Sequence, residues 1–195
     1  MMIRAAITGN IGSGKSMVTR IFRVLGVPVF VADVEAKKLY ELPEVKQEVK
    51  DLFGSRVFDA QGDVNREALA RIIFNDKASL QKINEIIHPR TLDAYQKWLT
   101  QYEDLPYTLH ESAILFENKL QHHFDRIINV YAPFELRLKR VTQRDHVDES
   151  FVIDRMRNQM GDEEKNKLAD YIIRNDERSF LIPQVMAIHK QINES

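Results

Sequence analysis

The sequence predicts an α/β fold in which a parallel β-sheet is flanked by helices. The apolar run Ile3–Thr8 is typical of a buried strand, residues 17–25 carry apolar side chains at helical spacing, and a second β-rich run follows at 27–33. A strand, a crossover helix and a strand of this length place the two strands next to each other and parallel. A glycine-rich octet, residues 9–16, joins the first strand to the helix.

That octet matches G-x-x-x-x-G-K-[ST], the phosphate-binding loop or P-loop. In such a loop the glycines let backbone N–H groups point inward, Lys15 reaches the β- and γ-phosphates, and the Ser16 hydroxyl ligates Mg²⁺. The helix that follows adds the positive end of its dipole. A chance glycine-rich turn is the alternative, but the flanking strand and helix favour a nucleotide site. We therefore predict a P-loop NTPase-type sheet.

The composition limits which partners are expected. A chain of 195 residues, 44% of them hydrophobic, suits one domain with a sizeable core and room for an inserted subdomain. The formal net charge of -1 does not indicate nucleic acid or an anionic membrane as a partner, and the absence of cysteine excludes disulfides, thiolate metal sites and thiol catalysis. No apolar run approaches the ~18 residues of a membrane span, and the first strand leaves no room for a cleavable signal. We expect a cytoplasmic protein, a monomer or weak homo-oligomer.

Asp33 ends the second β-rich run. Ligands of parallel sheets bind beyond the carboxyl ends of the strands, so Asp33 is predicted to lie at the same edge as the P-loop. An N-cap for a helix predicted over residues 34–42 is an equally good interpretation of this aspartate, and the two roles are compatible.

Residues 43–104 are predicted to form a helical insertion, because helical patterns dominate there and strand signals vanish. In small-molecule kinases such an insertion holds the acceptor. The helical stretch at 78–99 contains Pro89, which is predicted to split or kink it at His88. His88 is a candidate substrate contact, although a lone histidine at a helix break is more often a packed or capping residue.

A helix predicted over residues 134–144 carries a cluster of basic residues. Arg137, Arg140 and Arg144 share one face, because they are three or four positions apart. A solvated face paired with nearby acids is the alternative, but in a P-loop protein the cluster favours a mobile lid whose arginines close over phosphates. The predicted domains are a nucleotide-binding core at 1–42 and 105–195, with a lid at about 138–165, and a substrate-binding insertion at 43–104.

The sequence leaves the roles of two acidic residues and one asparagine open. Glu111 or Glu117 is a candidate for the acid that other P-loop proteins place on Mg²⁺ or its water, but neither stands in a clean Walker B pattern. Asn175, at the end of the last predicted strand, is either an adenine contact or a residue entering a turn. His122 and His123 lack further ligands at metal spacing and are predicted to be surface residues.

Two classes of function remain, a small-molecule phosphotransferase and a GTPase or ATPase switch. A GTPase should carry a guanine-reading N-K-x-D sequence, and none is present. The switch pattern D-x-x-G occurs at 51–54 and 59–62, but at a predicted helix end and in a turn. The helical insertion and the arginine cluster favour the kinase.

Several separated stretches together resemble the dephospho-CoA kinase family, in order across nearly the whole chain. The matching residues are 8–16, Ala32, Asp33, Ala36, His88, Pro89, 115–117, Arg140, Arg144, Asp145, Arg155, Gln159, 169–173 and Asn175. The resemblance implies transfer of the γ-phosphoryl group of ATP to the ribose 3′-hydroxyl of dephospho-CoA, with Mg²⁺. It also implies a P-loop core with a helical acceptor-binding insertion and a helical lid.

The same resemblance implies roles for individual residues. Asp33 is the candidate base that takes or orients the 3′-hydroxyl proton, and Asp33 and His88 bind the acceptor. Lys15 and Arg140 stabilise charge on the transferred group, and Ser16 holds Mg²⁺. The residues expected to contact ATP are Asn10, Ile11, Gly12, Ser13, Gly14, Lys15, Ser16, Met17 and Asn175.

The chain departs from the family pattern at several positions. Val31 stands where a second Asp is often found, which leaves Asp33 as the carboxylate there. Asn10 replaces a usual Gly of the loop, and Ala113 a usual Pro. Glu111 stands where an Asp is common, so the second acid on the Mg²⁺ side stays open.

Overall fold

A computed structural model describes residues 2–194, apart from the side chains of Phe74 and Asn75. The strands within these residues are β1 (Ile3–Thr8), β2 (Val29–Val31), β3 (Tyr107–Glu111), β4 (Arg126–Tyr131) and β5 (Tyr171–Arg174). They form one parallel sheet in the order β2-β3-β1-β4-β5. The predicted α/β class is confirmed, and β1 has the bounds that its apolar run indicates. The prediction that the first two strands are neighbours is wrong, because β3 pairs with both and lies between β1 and β2.

The described residues also contain nine α-helices. These are α1 (Lys15–Val24), α2 (Ala32–Leu39), α3 (Pro43–Phe53), α4 (Arg66–Asn75), α5 (Lys77–Leu99), α6 (Phe134–Asp145), α7 (Glu149–Arg157), α8 (Asp162–Leu168) and α9 (Leu181–Asn193). Short 3-10 turns occur at Ser55–Val57 and Gln121–His123. None of the described helices combines the length and the apolar character that crossing a bilayer requires.

The chain divides into two compact units. The helical unit is Ala32–Gln101, and the sheet unit is the remainder of the described chain. The sequence predicted an insertion from residue 43 onward, whereas α2 groups with the helical unit because Leu39 and Tyr40 pack on its apolar core. Which unit binds which substrate stays a prediction.

The two faces of the sheet are buried by different kinds of side chain. Successive side chains of a strand point to opposite faces, so Ala5 and Ile7 lie on one face and Ala6 on the other. The first, which we call the apolar face, packs against α1 and α9. The buried residues of the cluster that the face and these helices form are Ala5, Ile7, Val18, Phe22, Val27, Tyr107, Leu109, Ile128, Val130, Ile173, Val185, Ile188 and Ile192. The second, which we call the polar face, buries a smaller apolar cluster together with Thr8, Thr108, His110 and Asn129.

The helical unit has a core of its own. Pro43 begins α3, where its missing N–H costs no hydrogen bond. Asn65 and Asp76 cap α4 and α5 by accepting from the N–H groups of Ala68 at 3.0 Å and Ser79 at 2.9 Å. The buried core residues are Val45, Val49, Phe53, Val57, Leu69, Ile83, Ile86 and Ile87.

Helix α5 is unbroken through Pro89, so the predicted split at this proline is wrong. A proline inside a helix removes one backbone hydrogen bond. Beside it, the Arg90 guanidinium donates to the Ile86 carbonyl at 2.9 Å, and the Thr91 hydroxyl donates to the Ile87 carbonyl at 2.8 Å. Buried apolar residues on both sides of the proline, such as Ile87 and Tyr95, stabilise the helix through it by packing.

Candidate nucleotide-binding site

The P-loop, residues 9–16, joins β1 to α1 and needs glycine where it passes other backbone. Gly9 has a φ of 150°, and Gly12 a φ of 79°. A Cβ on Gly9 would lie 2.4 Å from the Val130 carbonyl oxygen, and one on Gly12 would lie 2.7 Å from the Arg137 carbonyl oxygen. Only glycine fits at these two points, because any side chain would collide with backbone that cannot move aside.

The backbone N–H groups of the loop fall into two sets. Ile11 donates to Oε1 of Gln159 at 2.8 Å, and Ser13 donates to the Asn10 carbonyl at 3.0 Å. The N–H groups of Gly12, Gly14 and Ser16, by contrast, have no acceptor among the described residues. This second set lies at the N-terminus of the ten-residue helix α1, where the dipole favours an anion.

The first residues of α1 carry the groups that a nucleotide needs. Nζ of Lys15 donates to the Gly9 carbonyl at 2.6 Å, so its ammonium is bonded to the start of the loop. Ser16 is exposed. Met17 donates its N–H to the Gly14 carbonyl at 3.0 Å, and its side chain is half-exposed. An ammonium and an accessible hydroxyl at a helix N-terminus suit a phosphate with its cation.

Arg137 of α6 is a buried arginine that contacts the loop. Only 3% of it is exposed, its Nε donates to the Ala132 carbonyl at 3.0 Å, and its Nη2 pairs with the Asp162 carboxylate. Its Nη1 also lies 3.4 Å from the Ile11 carbonyl oxygen. The sequence grouped Arg137 with the arginines of a mobile lid, whereas this guanidinium is bonded on all sides to protein groups.

Residues 159–162, which we call the brace, connect α7 to α8 and contact the first half of the loop. Besides the bond from Ile11 to Gln159, the Asn10 side-chain amide donates to Oδ1 of Asp162 at 2.8 Å and to the Met160 carbonyl at 3.1 Å. The side chain of Asn10, which replaces a usual Gly, is therefore used to tie the loop to the brace.

A fully buried lysine lies behind the brace. Nζ of Lys165 in α8 pairs with Oε1 of Glu117 at 2.9 Å and donates to the Ala113 carbonyl at 3.0 Å. The same carboxylate oxygen accepts from the Met160 N–H at 2.9 Å. Burial lowers the pKa of Lys165, and the hydrogen bond and charge of Glu117 oppose that shift.

Asn175 follows β5 and contacts the second half of the loop. Its Nδ2 donates to the Ser13 carbonyl at 2.8 Å. Its own carbonyl accepts from Nη1 of Arg140 at 3.2 Å, and Nη2 of the same arginine lies 3.3 Å from Glu177. The two candidates Asn175 and Arg140 are therefore brought together beside the P-loop.

Glu111 lies at the edge of the sheet from which the loop emerges. It is the last residue of β3, and the strand register pairs it with Ile7 of β1 and Val31 of β2. Of the two acids that the sequence left open, Glu111 ends a strand at this edge, and Glu117 is bonded to the brace and to Lys165.

Comparison with known proteins identifies the family. A sequence profile described as dephospho-CoA kinase matches residues 3–180. The chain belongs to the dephospho-CoA kinase family. Dephospho-CoA kinase of Bacteroides fragilis is 40% identical over 189 residues, which cover 96% of this chain and 92% of that protein. The predicted class of enzyme, an ATP-dependent kinase, is confirmed by this membership.

Two solved structures share this fold, and one of them is a dephospho-CoA kinase. A crystal structure from Thermus thermophilus matches with a TM-score of 0.86 at 32% identity, covering 98% of this chain and 96% of that chain. Dephospho-CoA kinase from Campylobacter jejuni matches with a TM-score of 0.71 at 26% identity, covering 100% and 98%. The P-loop kinase fold predicted from the sequence is thus confirmed.

Two residues that the dephospho-CoA kinase resemblance singled out lie in the helical unit. Asp33 is exposed and is the second residue of α2, directly after β2 in the chain. It lies inside the first helical turn, so its interpretation as an N-cap is wrong. His88 lies inside α5, and burial lowers its pKa. Their roles toward a substrate stay predictions.

Sequence reasoning missed the groups that hold the loop of this dephospho-CoA kinase family member. Nothing in the polar helix Asp162–Leu168 indicates that Lys165 is its buried residue. Gln159 entered only as part of the family resemblance, and Glu117 entered through that resemblance and as a candidate metal-side acid. A polar residue paired with a partner 48 positions away leaves no local pattern in a single sequence.

Proposed function

We propose that this protein transfers the γ-phosphoryl group of ATP to the ribose 3′-hydroxyl of dephospho-CoA, giving CoA and ADP, the last step of coenzyme A biosynthesis. The observation that carries the proposal is the family match across residues 3–180. The P-loop of the sheet unit supports it independently, because its backbone donors and lysine suit a triphosphate.

ATP is proposed to bind along residues 10–17. The N–H groups of Gly12, Gly14 and Ser16 receive the phosphates with the help of the α1 dipole. The Lys15 ammonium exchanges its bond to the Gly9 carbonyl for the β- and γ-phosphates. Asn175, which is bonded to the loop through the Ser13 carbonyl, is the proposed contact on the adenine side.

Mg²⁺ is proposed to bind together with the triphosphate. The cation prefers oxygen ligands, and the exposed Ser16 hydroxyl fits that preference. Glu111 is the proposed metal-side acid, because Glu117 is already bonded to Met160 and Lys165. When bound, the cation supplies neutralisation of the charge on the phosphates.

Asp33 is proposed as the base of the reaction. The 3′-hydroxyl oxygen forms a bond to the γ-phosphorus, the bond from that phosphorus to the β-phosphate oxygen breaks, and Asp33 takes or orients the hydroxyl proton. Little covalent chemistry is asked of the protein, so positioning and charge must supply most of the acceleration. Lys15 and Arg140 are proposed to stabilise the charge on the transferred group.

The acceptor side rests on the sequence and the family resemblance. We propose that the insertion at 43–104 binds dephospho-CoA with the help of His88, and that a lid at about 138–165 closes over ATP. A cytoplasmic location, the monomeric or weakly oligomeric state and the lack of a nucleic-acid or membrane partner stay predictions.

A coupled assay for ADP release tests the proposal. Purified protein is given ATP and Mg²⁺ with dephospho-CoA, and in parallel with adenosine, a nucleoside monophosphate or shikimate. ADP release that depends on dephospho-CoA, with CoA as the product, is the expected result. Turnover with another acceptor and none with dephospho-CoA would overturn the proposed substrate but leave the kinase class.

A further inference from the structure

The first half of the P-loop is held by protein groups. The brace, residues 159–162, makes three hydrogen bonds to Asn10 and Ile11. A flexible glycine-rich loop loses conformational freedom when it binds a ligand, so a loop that is already fixed binds more tightly. The groups that fix the brace therefore contribute to nucleotide affinity without touching the nucleotide.

Glu117 is the group that fixes the brace from behind. Its Oε1 accepts from the Met160 N–H and from Nζ of Lys165, both at 2.9 Å. Its other oxygen, Oε2, is buried and accepts no hydrogen bond from the described residues. Oε1 is thus occupied by two protein donors, which favours a structural role for this carboxylate.

Lys165 holds Glu117 in place. The lysine side chain is 0% exposed, and a buried ammonium is tolerated only when it is paired. Here it has the Glu117 carboxylate and the Ala113 carbonyl as acceptors. The pair therefore fixes the rotamer of Glu117 and, through the Met160 N–H, the position of the brace.

We propose that Glu117 is a positioning residue for ATP, which acts through the brace on Asn10 and Ile11 and is not a ligand of Mg²⁺. The inference rests on the ATP site of the proposed function but not on the identity of the acceptor. It gives Glu117, whose role the sequence left open, the role of fixing the geometry of the P-loop.

Two double variants that differ in one group test this inference. Both carry Lys165→Met, so that no ammonium is left unpaired in the interior. Glu117→Gln in this background keeps a side-chain oxygen for the Met160 N–H, and Glu117→Met removes it. Both proteins are uncharged at positions 117 and 165 and carry side chains of similar length there, so a difference between them reports on that one acceptor.

The measurements are the affinity for ATP by calorimetry with EDTA and with Mg²⁺, and the KM values for ATP and dephospho-CoA. We expect E117M/K165M to bind ATP about 10- to 100-fold more weakly than E117Q/K165M, equally with and without Mg²⁺. The KM for dephospho-CoA should be the same in both. Equal ATP affinities would overturn the positioning role, and so would a difference seen only with Mg²⁺, because the side-chain oxygen at position 117 would then act through the cation.

A single variant keeps the test decisive if E117M/K165M does not fold. Gln159→Met removes the acceptor of the Ile11 N–H from a half-buried position between helices, and it should weaken Mg²⁺-free ATP binding about 10-fold. Unchanged binding would overturn the role of the brace. Wild-type protein that binds ATP but does not phosphorylate dephospho-CoA would refute the proposed function alone.

Discussion

The apolar and polar faces of the sheet are both buried, yet they are held by different forces. On the apolar face, side chains such as Ile128 and Val130 pack against α1 and α9. On the polar face, His110 contacts Phe30 and Phe124, and Asn129 donates to Asn166 of α8, the helix that carries the buried Lys165. Apolar packing is non-directional and gives stability, whereas hydrogen bonds and ion pairs require defined positions.

This difference shows which face of the sheet fixes the position of the P-loop. The bonds to the first half of the P-loop come from residues 159–162, which are fixed in turn by the Lys165–Glu117 pair. The apolar face contributes to the free energy of folding through apolar burial, without directional bonds. On the polar face, hydrogen bonds and an ion pair fix the geometry of a binding loop. These bonds require buried charges, which must stay paired.

The largest effect is expected at the edge of the sheet, where both faces end. Lys15→Ala should lower turnover about 10³-fold, because one preorganised cation for the phosphates is lost. The unfolding midpoint should stay that of wild type, because Lys15 is only half-buried and packs on neither face. Steady-state kinetics and thermal unfolding measure the two quantities, with the exposed Lys190→Ala as control. Normal kinetics would refute the role of the loop.

Two adjacent isoleucines of β4 lie on opposite faces, so substituting each in turn compares the two faces directly. Ile128 is fully buried on the apolar face, so Ile128→Ala should lower the free energy of unfolding by about 3–4 kcal/mol and leave the KM for ATP unchanged. Ile127→Ala, on the polar face, removes packing from the cluster that includes Met160 of the brace. It should cost about 2–3 kcal/mol and raise the KM for ATP.

Denaturant unfolding and the KM for ATP decide between these outcomes. If both variants change the KM equally, the two faces do not differ in function. If neither changes it, the polar face contributes stability alone, and the brace does not depend on the packing beneath it.

The apolar face is the part of the fold that the sequence predicts well. The run Ile3–Thr8 is mostly apolar, and it is a strand with those bounds. The P-loop, with Lys15 and Ser16, follows from a motif whose residue types are dictated by phosphate chemistry. In both cases the cause lies within a few residues of the consequence.

The polar face could not be predicted in this way. Lys165 belongs to a helix that looks solvated, and its burial depends on Glu117, far away in the sequence. Pro89 is a related case: it was expected to split or kink a helix at His88, but the helix continues through it and packs Ile86 and Ile87 into the core of the helical unit. Where directional bonds between distant residues override local preference, periodicity and composition carry no signal.

A residue that packs on neither face gives the next prediction. Asp33 is exposed at the start of α2, so Asp33→Asn should leave stability unchanged and keep ATP binding. Because Asp33 is the proposed base, the substitution should nevertheless lower the rate of phosphoryl transfer by at least about 10²-fold. Single-turnover kinetics with calorimetry of ATP binding separate the two, and Glu35→Gln in the same helix is the matched control. Unchanged turnover would remove Asp33 from the mechanism.

The smallest effect concerns the pH dependence of the polar face. His110 is 4% exposed, lies between Phe30 and Phe124, and burial lowers its pKa to about 4. In the unfolded chain its pKa is near 6.5, so the unfolded state binds more protons between these two values. Stability should therefore fall as the pH drops through that window.

The loss attributable to His110 between pH 7.5 and pH 5 should be about 2 kcal/mol. His110→Gln carries no titrating ring. Over the same pH range, the unfolding free energy of this variant should therefore fall by about 2 kcal/mol less than that of wild type. The other histidines contribute equally to both proteins and cancel in the comparison. Denaturant unfolding at several pH values measures both slopes. Parallel slopes would mean that His110 accepts a proton without leaving the interior, and the polar face would then tolerate a further charge.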